Sequence, residues 1–436
     1  MGAPGSNLRT WTQLCETSIP FHTGAYQASS ATIPLKVTKP AMKKPAQPDP
    51  VNRRKFIAGA AAVSLSASSA SSAAAMLIAP APKTASQRIL VGSGTPNGIL
   101  AFDWDASTGT LTPEGIAAPI SHSTWLQISP DRRFLYVACE LEEFQGKPTG
   151  SVASFALNNG KLTPISNVAA QGKGTCHLTT DHTGHVVICA NYSGGSAASF
   201  LSTDGKLSEA VWSEHYTGTG PVRDRQEAAH AHFACVSPDN RIVTINDLGA
   251  DKIRLYKLDA ATGKLTHAGA FEARPGAGPR TLHYHPNGKI AYCVNELNSS
   301  VSVLAWSAGA FASIQTVPLL PEGDTQKHHE ITNTGCDAVL TRDGKFAYFA
   351  NRGDDFLMGF RIDPAGTLTP ISDNPRTSCG GKTPRNFTLD PTERWMLVAN
   401  QGSSNLSVFA RDPQTGVLSN DGKNFPAATP MCIVFV

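Results

Sequence analysis

The stretch GAGPRTLHYHPNGKIAYCVNEL, residues 276–297, has the pattern of two short β-strands joined by a tight turn. Apolar residues alternate with polar ones on either side of the Pro-Asn-Gly sequence, and these three residue types favour turns. The same hairpin concentrates ionisable side chains, namely Arg280, His283, His285 and Glu296. A single hairpin does not identify a fold, whereas a hairpin pattern that recurs along the chain can do so.

Five further stretches share this pattern of strand, turn and strand, and each ends close to a small residue or Asn. They are STWLQISPDRRFLYVACE, TCHLTTDHTGHVVICANY, HAHFACVSPDNRIVTIND, GCDAVLTRDGKFAYFANR and PRNFTLDPTERWMLVANQ. Equivalent positions recur about every 50 residues, and a third strand and a turn such as ATGKL follow the hairpins. A four-stranded unit of this length is typical of a propeller blade.

The two ends of the repeat region complement each other. RILVGSGTPNGILAFDWD, from Arg88, matches a second and a third strand, whereas the C-terminal PMCIVFV matches a first strand. Joining them gives a seventh blade and leaves the ring without exposed edges. A double β-sandwich would not produce these complementary halves. We therefore predict an all-β, seven-bladed β-propeller over residues 85–436, with four-stranded blades and a ring closed by N- and C-terminal strands that share one blade.

The N-terminal region has a different composition. Residues 42–76 contain the twin arginines Arg53 and Arg54, then an Ala/Ser-rich stretch that ends near an Ala-x-Ala site at 73–75. This resembles a twin-arginine export signal. The alternative, a membrane anchor, is disfavoured because the stretch is only weakly apolar. We predict cleaved export to the periplasm by the twin-arginine machinery, without stable membrane insertion afterwards. Residues 1–41 have the character of a misassigned or disordered extension.

Charge and cysteine content give no sign of a nucleic-acid partner or a metal-binding finger. Charged residues make up 16% of the chain and the formal net charge is +3, which gives no indication of a nucleic-acid partner. The nine cysteines show no C-x-x-C or metal-finger spacing, and most lie at equivalent strand positions. Buried, unpaired thiols are the simpler interpretation.

Polar residues gather at one end of the predicted hairpins. In an antiparallel pair, residues equidistant from the turn face each other, so Arg280 is expected opposite Glu296, and His232 opposite Asp247. The same reasoning brings further side chains to one face of the propeller: His177, Arg352 and Arg385. Arginines match carboxylate or phosphate oxygens, and the resulting funnel predicts a small anionic ligand.

Several of these residues have structural alternatives. Arg385 could pair with Asp337 or Asp390 between blades, and His283 and His285 are expected to be structural. His230 and His232 share one strand face with a spacing that can chelate a metal. No third ligand is evident, so no metal and no other cofactor are predicted.

The motifs HAHFACVSPD, GAGPRTLHYHPNGKIAYCVNEL, FAYFANRGDD and PRNFTLDPTERWMLVANQ resemble the lactonase family of seven-bladed propellers over residues 88–436. That family includes propeller-type 6-phosphogluconolactonases and the fungal 3-carboxy-cis,cis-muconate lactonising enzyme. The resemblance implies a site of four catalytic residues: His232, Arg280, Glu296 and Arg352. Asp354 departs from the family's frequent Arg-Gly-His, which weakens the case for a phosphorylated substrate.

The resemblance implies a lactone hydrolase of the 6-phosphogluconolactonase type that opens a small anionic sugar-acid lactone by metal-independent attack of water. Arg280 and Arg352 would hold the substrate anion and the developing oxyanion, while Glu296 or His232 activates the water and the other assists the leaving oxygen. Residues assigned to substrate binding are His177, His230, Arg385 and Asn386. Two alternatives remain, a muconate-type cycloisomerase and a non-catalytic propeller that binds small anions or a protein partner.

Overall fold

The computed structural model describes residues 87–320, 327–328 and 331–436, and the predicted extension and export signal at 1–41 and 42–76 lie outside these residues. The described chain is built from β-strands arranged in seven sheets, as predicted. Each sheet is a blade with a linear, antiparallel strand order, and a short hairpin of Lys327–His328 with Ile331–Thr332 lies between blades four and five in the sequence.

Blades one to four follow one another along the chain, and the strands of each blade are named from the innermost outward. Blade one comprises Ser123–Ile128, Phe134–Cys139, Ser151–Asn158 and Lys161–Ala169. Blade two comprises Thr175–Thr180, Val186–Asn191 and Ser196–Thr203, with an outer strand split into Lys206–Leu207 and Trp212–His215. Blade three comprises Ala231–Val236, Ile242–Asp247, Lys252–Leu258 and Leu265–Glu272. Blade four comprises Pro279–Tyr284, Ile290–Asn295, Ser300–Ser307 and Ala310–Pro318.

The remaining blades have the same order. Blade five comprises Thr334–Leu340, Phe346–Arg352 and Phe356–Ile362, with an outer strand split into Leu368–Pro370 and Arg376–Ser378. Blade six comprises Pro384–Leu389, Trp395–Asn400 and Asn405–Arg411, with Leu418–Ser419 and Asn424–Pro426 outside and a 3-10 turn at Gln401–Ser403. Blade seven comprises Pro430–Phe435, Gln87–Ser93, Ile99–Asp105 and Thr110–Ala118.

Blade seven closes the ring in the predicted way. The C-terminal strand pairs with the first described strand of the chain, with Ile433 opposite Val91 and Phe435 opposite Ile89. The innermost strands of all seven blades then contact one another in a closed circle. Closure removes the free sheet edges that an open array would expose.

The hydrophobic core is divided among the gaps between neighbouring blades. Tyr292 and Val303 of blade four pack against Phe349 and Phe360 of blade five, and all four side chains are buried. Second strands such as Ile290–Asn295 are buried along their whole length because each is covered by a blade on both faces. This explains why these strands read as nearly continuous apolar runs.

A β-bulge near the same end of every innermost strand positions the site. In blade four, Pro279 pairs with Asn295 and Thr281 with Val294, so Arg280 is an extra residue on its strand. The extra residues of the other blades are Thr124, Cys176, His232, Arg385 and Met431, and in blade five the bulge lies between Gly335 and Ala338. The simple pairings predicted for Arg280 with Glu296 and for His232 with Asp247 are therefore not formed, because the bulge interrupts each ladder. Asn295 pairs with Pro279 instead, and Asp247 with Ala231.

Candidate active site

The bulge residues converge on the propeller axis. A small cavity there is lined by six of them and by residues next to them: Thr124, Trp125, Cys176, His177, His232, Phe233, Arg280, Thr281, Arg385 and Met431. We call it the axial cavity. A bulge turns a side chain away from the regular alternation of a strand, and such irregularities are common beside active sites. The fold thus directs one side chain from nearly every blade to a single point.

Beside the axial cavity, three arginines surround the carboxylate of Glu296. Arg280 Nε and Arg352 Nη2 both lie 2.9 Å from Oε2, and Arg225 Nη2 lies 2.5 Å from Oε1. We call these three arginines with Glu296 the arginine cluster. The side chains of Glu296 and Arg280 are each 4% exposed, which makes their electrostatic interaction strong. The structure therefore brings together three of the predicted catalytic residues, Arg280, Glu296 and Arg352.

The arginine cluster keeps Glu296 ionised. Burial alone would raise the pKa of this carboxyl, but Arg352, Arg280 and Arg225 outweigh burial and hold the pKa well below its usual range. Because both of its oxygens are occupied by guanidinium groups, this carboxylate is poorly placed to accept a proton from water. Glu296 is better suited to fixing the arginines in place.

His232, the fourth predicted catalytic residue, lies in the cavity wall as a buried imidazole. Burial, and then the positive charge of Arg280, lowers the pKa of His232 well below its ordinary value. Its Nδ1 is buried and has no hydrogen-bond partner among the described residues. A neutral imidazole accepts a proton rather than supplying one, so at neutral pH His232 has the character of a base.

His177 forms part of the floor of the axial cavity. Its ring stacks on Phe233 with centroids 3.7 Å apart and lies 4.3 Å from Trp125. Its Nδ1 accepts a hydrogen bond from the backbone N–H of Ala234 at 3.2 Å. The bulge position of blade two is held instead by Cys176. Burial lowers the pKa of His177 well below its ordinary value, so the ring is neutral.

The other residues assigned to substrate binding differ in position. Arg385 lines the cavity, with Nη2 3.6 Å from Oε2 of Glu140 rather than beside Asp337 or Asp390. Asn386 does not line it and instead donates to Asp337 Oδ2 at 3.0 Å. His230 lies behind the wall, with Nδ1 3.0 Å from the carbonyl oxygen of Tyr192 and Nε2 3.1 Å from Glu227.

Two charged residues of the site were missed in the sequence. Glu140 follows the second strand of blade one as Glu296 follows that of blade four, and this equivalence was a usable signal. It accepts a hydrogen bond from Thr124 Oγ1 at 2.9 Å. Arg225 lies in the long connection between blades two and three, where no periodic pattern indicated that it would reach Glu296.

No group of three or more His, Cys, Asp or Glu residues suited to a metal ion occurs within the described ranges. The eight cysteines of those ranges are unpaired. Among the helices described, none is long and apolar enough to cross a bilayer.

Residues 88–435 match the family model described as lactonase, 7-bladed beta-propeller. The chain belongs to this family. A 6-phosphogluconolactonase of Bacillus subtilis is 34% identical over 349 residues, covering 79% of this chain and 95% of that protein. A 6-phosphogluconolactonase of Formosa agariphila is 32% identical over 343 residues, covering 76% and 94% of the two chains. The predicted lactonase family and lactone hydrolase class are confirmed.

The fold comparison agrees with the sequence comparison. A periplasmic gluconolactonase of Pseudomonas aeruginosa superimposes with a TM-score of 0.74 at 32% identity, covering 80% of this chain and 99% of that chain. These relatives share nearly their full length with the propeller region. The muconate-type and non-catalytic alternatives are not favoured by these similarities.

Proposed function

We propose that the axial cavity opens a sugar-acid lactone by direct attack of water, with His232 as general base and Arg280 and Arg352 as the oxyanion-stabilising groups. The observation that carries the proposal is the placement of a neutral, buried imidazole in a cavity wall shared with Arg280. A base and a fixed cation at one carbonyl are what hydrolysis without a covalent intermediate needs.

The proposed reaction proceeds in two stages. A water oxygen bonds to the lactone carbonyl carbon while the water gives one proton to His232, and the carbonyl oxygen becomes an oxyanion beside the arginines. The tetrahedral intermediate then collapses, the bond between the carbonyl carbon and the ring oxygen breaks, and the ring oxygen takes the proton from His232. Protonated His232 is a strong acid in this setting, because burial and then the nearby arginines disfavour its positive charge.

Glu296 supports this chemistry indirectly. Its carboxylate ties Arg280 and Arg352 to one oxygen, which holds two guanidinium groups in a fixed relative position. Donors that are already positioned for a developing negative charge need not reorganise during the reaction. We assign Glu296 as a positioning residue and His232, Arg280 and Arg352 as the catalytic residues. His177 and Arg385 are assigned to the walls that contact substrate, and Asn386 and His230 to their support.

The experiment is a pH-stat assay of the purified protein with glucono-δ-lactone and 6-phosphogluconolactone, each corrected for spontaneous hydrolysis. We expect turnover of at least one lactone, and its loss in His232→Gln with an unchanged circular dichroism spectrum. A His232→Gln protein as active as the parent protein would refute the assignment of the base.

We also propose that the protein acts in the periplasm after twin-arginine export. The support is the Arg53-Arg54 pair with its Ala/Ser-rich continuation, together with the similarity to a periplasmic gluconolactonase. Fractionation of cells that express the full chain tests it. Replacing both arginines with lysine is expected to leave the protein in the cytoplasm, and unchanged export would contradict the proposal.

A further inference from the structure

Arg225 is the solvent-side member of the arginine cluster. The exposed fraction of its side chain is 39%, compared with 4% for Arg280 and 15% for Arg352. Arg280 and Arg352 share one oxygen of Glu296, whereas Arg225 alone among the cluster's arginines contacts the other. A ligand that enters the funnel can therefore meet the Arg225 guanidinium without displacing either deeper arginine.

The connection that carries Arg225 is anchored immediately beside it. Gln226 is fully buried, donates from Nε2 to the carbonyl oxygen of Leu248 at 2.9 Å and accepts from the backbone N–H of Val222 at 3.1 Å. The backbone of Gly220 also donates to the Gln226 carbonyl oxygen at 3.0 Å. The backbone next to Arg225 is thus held, while its long side chain extends to the site.

Arg225 has donors to spare for a ligand. Its two hydrogen bonds within the described residues, to Glu296 Oε1 and to the hydroxyl of Tyr192, both come from Nη2. A guanidinium carries five N–H groups in a planar fork. By contrast, Arg280 is engaged at both ends, with Nη1 donating to the Cys336 carbonyl oxygen at 2.6 Å. Arg225 therefore has the donor capacity that Arg280 lacks.

The arginine cluster carries more N–H donors than its own carboxylate can accept from. Within the arginine cluster, three positive charges face the single carboxylate of Glu296. Outside the cluster, Asp337 interacts electrostatically with Arg280 and is hydrogen-bonded to His283 and Asn386. Glu227 interacts in the same way with Arg225, and Glu140 lies beside Arg385. In addition, the buried Nε of Arg352 has no partner among the described residues, which is the condition of a donor that a ligand satisfies.

We propose that Arg225 binds an anionic substituent of the lactone, a phosphate or a carboxylate outside the reacting ring, and thereby selects charged lactones over neutral ones. This inference rests on the proposed function and adds a residue that determines specificity within the expected class of anionic lactones. Arg280 and Arg352 serve the reacting carbonyl, and Arg225 offers a planar fork that matches the two oxygens of a carboxylate or phosphate. The contact to Glu296 Oε1 holds Arg225 ready when no substrate is present.

The test compares three lactones that differ in the substituent at carbon 6: glucono-δ-lactone with a hydroxyl, 6-phosphogluconolactone with a phosphate and glucarolactone with a carboxylate. The measured quantity is kcat/KM for each charged lactone divided by kcat/KM for the neutral one. We expect Arg225→Ala to lower this ratio by roughly 10- to 100-fold for the preferred charged lactone, since a charge-assisted hydrogen bond is lost. The charged lactone whose ratio falls more shows whether Arg225 binds a phosphate or a carboxylate.

Arg223→Ala is the matched control, because Arg223 is an exposed arginine of the same connection. It should leave the ratio within about 3-fold, a range that corresponds to ordinary surface substitutions. Arg225→Lys keeps the charge but loses the fork, and an intermediate ratio is expected. An equal loss on all three lactones would overturn the proposal and make Arg225 a positioning residue for Glu296.

Product binding gives a readout that does not need turnover. Titration calorimetry with 6-phosphogluconate, glucarate and gluconate should show that the parent protein prefers one of the two acids with an anionic group at carbon 6, and Arg225→Ala should remove that preference. Equal binding of all three acids by the parent protein would overturn the selectivity role. If hydrolysis failed with every lactone while the binding preference held, the proposed reaction would be wrong and the Arg225 subsite would stand.

Discussion

Arg280 Nε and Glu296 Oε2 lie 2.9 Å apart in blade four, with each side chain only 4% exposed. Arg280 is the extra residue of a β-bulge on the first strand, and Glu296 immediately follows the second strand. The contact between the two side chains therefore depends on the bulge, which interrupts the ladder at Arg280. Breaking a buried ion pair leaves a charge without a partner, which costs more than the intact pair contributes.

Glu296→Gln should destabilise the protein and reduce turnover together. Three arginines would lose their shared counter-charge, and we expect the free energy of unfolding to fall by about 3–5 kcal/mol. The oxyanion groups would no longer be held in place, and kcat should fall by roughly 10²–10³-fold, as on loss of an oxyanion-hole donor. Urea unfolding and the pH-stat assay measure the two effects.

Glu140→Gln is the control for Glu296→Gln. Glu140 occupies the equivalent position of blade one and is 32% exposed, and its carboxylate contacts Thr124 and Arg385. Its loss should cost less than about 1 kcal/mol because the group is partly hydrated. If the two variants were equally destabilised, the special role of the arginine cluster would be refuted.

The pH dependence of turnover should follow His232. Its pKa lies well below the ordinary value of about 6.5, so the imidazole is already neutral at pH 6 and remains so at higher pH. We expect kcat/KM, corrected for spontaneous hydrolysis, to be level from about pH 6 to pH 8 and to fall only on the acid side of this range. An acid limb centred near pH 7 would show that His232 is not the titrating base.

The propeller was predictable because the same strand pattern recurs in every blade. Each hairpin such as residues 279–295 repeats an apolar alternation and a turn, and the half-blades at Arg88 and at the C terminus identified the closing partner. Because the pattern is repeated about every 50 residues, a wrong strand assignment in one blade does not change the predicted fold. The blade count and the closure followed from this redundancy.

The site was predictable only in part, for a geometric reason. Counting residues from the turn placed Arg280, Arg352 and Glu296 at one end of their blades, but the bulges change the pairing at that end, where Asn295 pairs with Pro279 and Arg352 with Thr334. For that reason Cys176, rather than His177, holds the bulge position in blade two. Arg225 was not predictable, since its position depends on how a non-repeating connection folds across the funnel.

Asn386 should prove important for stability rather than for substrate affinity. It donates to Asp337 of blade five at 3.0 Å, and its Oδ1 accepts from the backbone N–H of Ile433 in the closing strand at 3.0 Å. Asn386→Ala would leave a buried carboxylate oxygen and a buried N–H without these partners. We expect the free energy of unfolding to fall by about 2–4 kcal/mol with KM nearly unchanged.

Asn287→Ala is the matched control for Asn386→Ala. Asn287 is an exposed turn residue whose Oδ1 accepts from the backbone N–H of Lys289 at 2.9 Å, so water can replace the lost group. A change within about 0.5 kcal/mol is expected by urea unfolding. A large rise in KM in Asn386→Ala, without destabilisation, would instead return Asn386 to the substrate contacts.

Buried histidines should make the fold sensitive to mild acid. His177 and His232 are neutral in the native state, and their folded pKa values lie well below the ordinary value of about 6.5. The unfolded chain therefore binds more protons than the native chain below pH 6.5, and stability falls as the pH is lowered towards the folded pKa values. Each histidine contributes up to about 1.4 kcal/mol per pH unit in this window.

His177→Gln should reduce this sensitivity by about one histidine's share, because the amide can accept from Ala234 N–H but does not titrate. Urea unfolding at pH 7, 6 and 5 measures the slope, and His182→Gln serves as the exposed control. The variant will be less stable than the parent protein at pH 7, because the ring stack between Trp125 and Phe233 is lost, yet the difference should narrow at pH 5. Parallel stability curves from pH 7 to pH 5 would mean that His177 takes up its proton in the folded state as readily as in the unfolded chain.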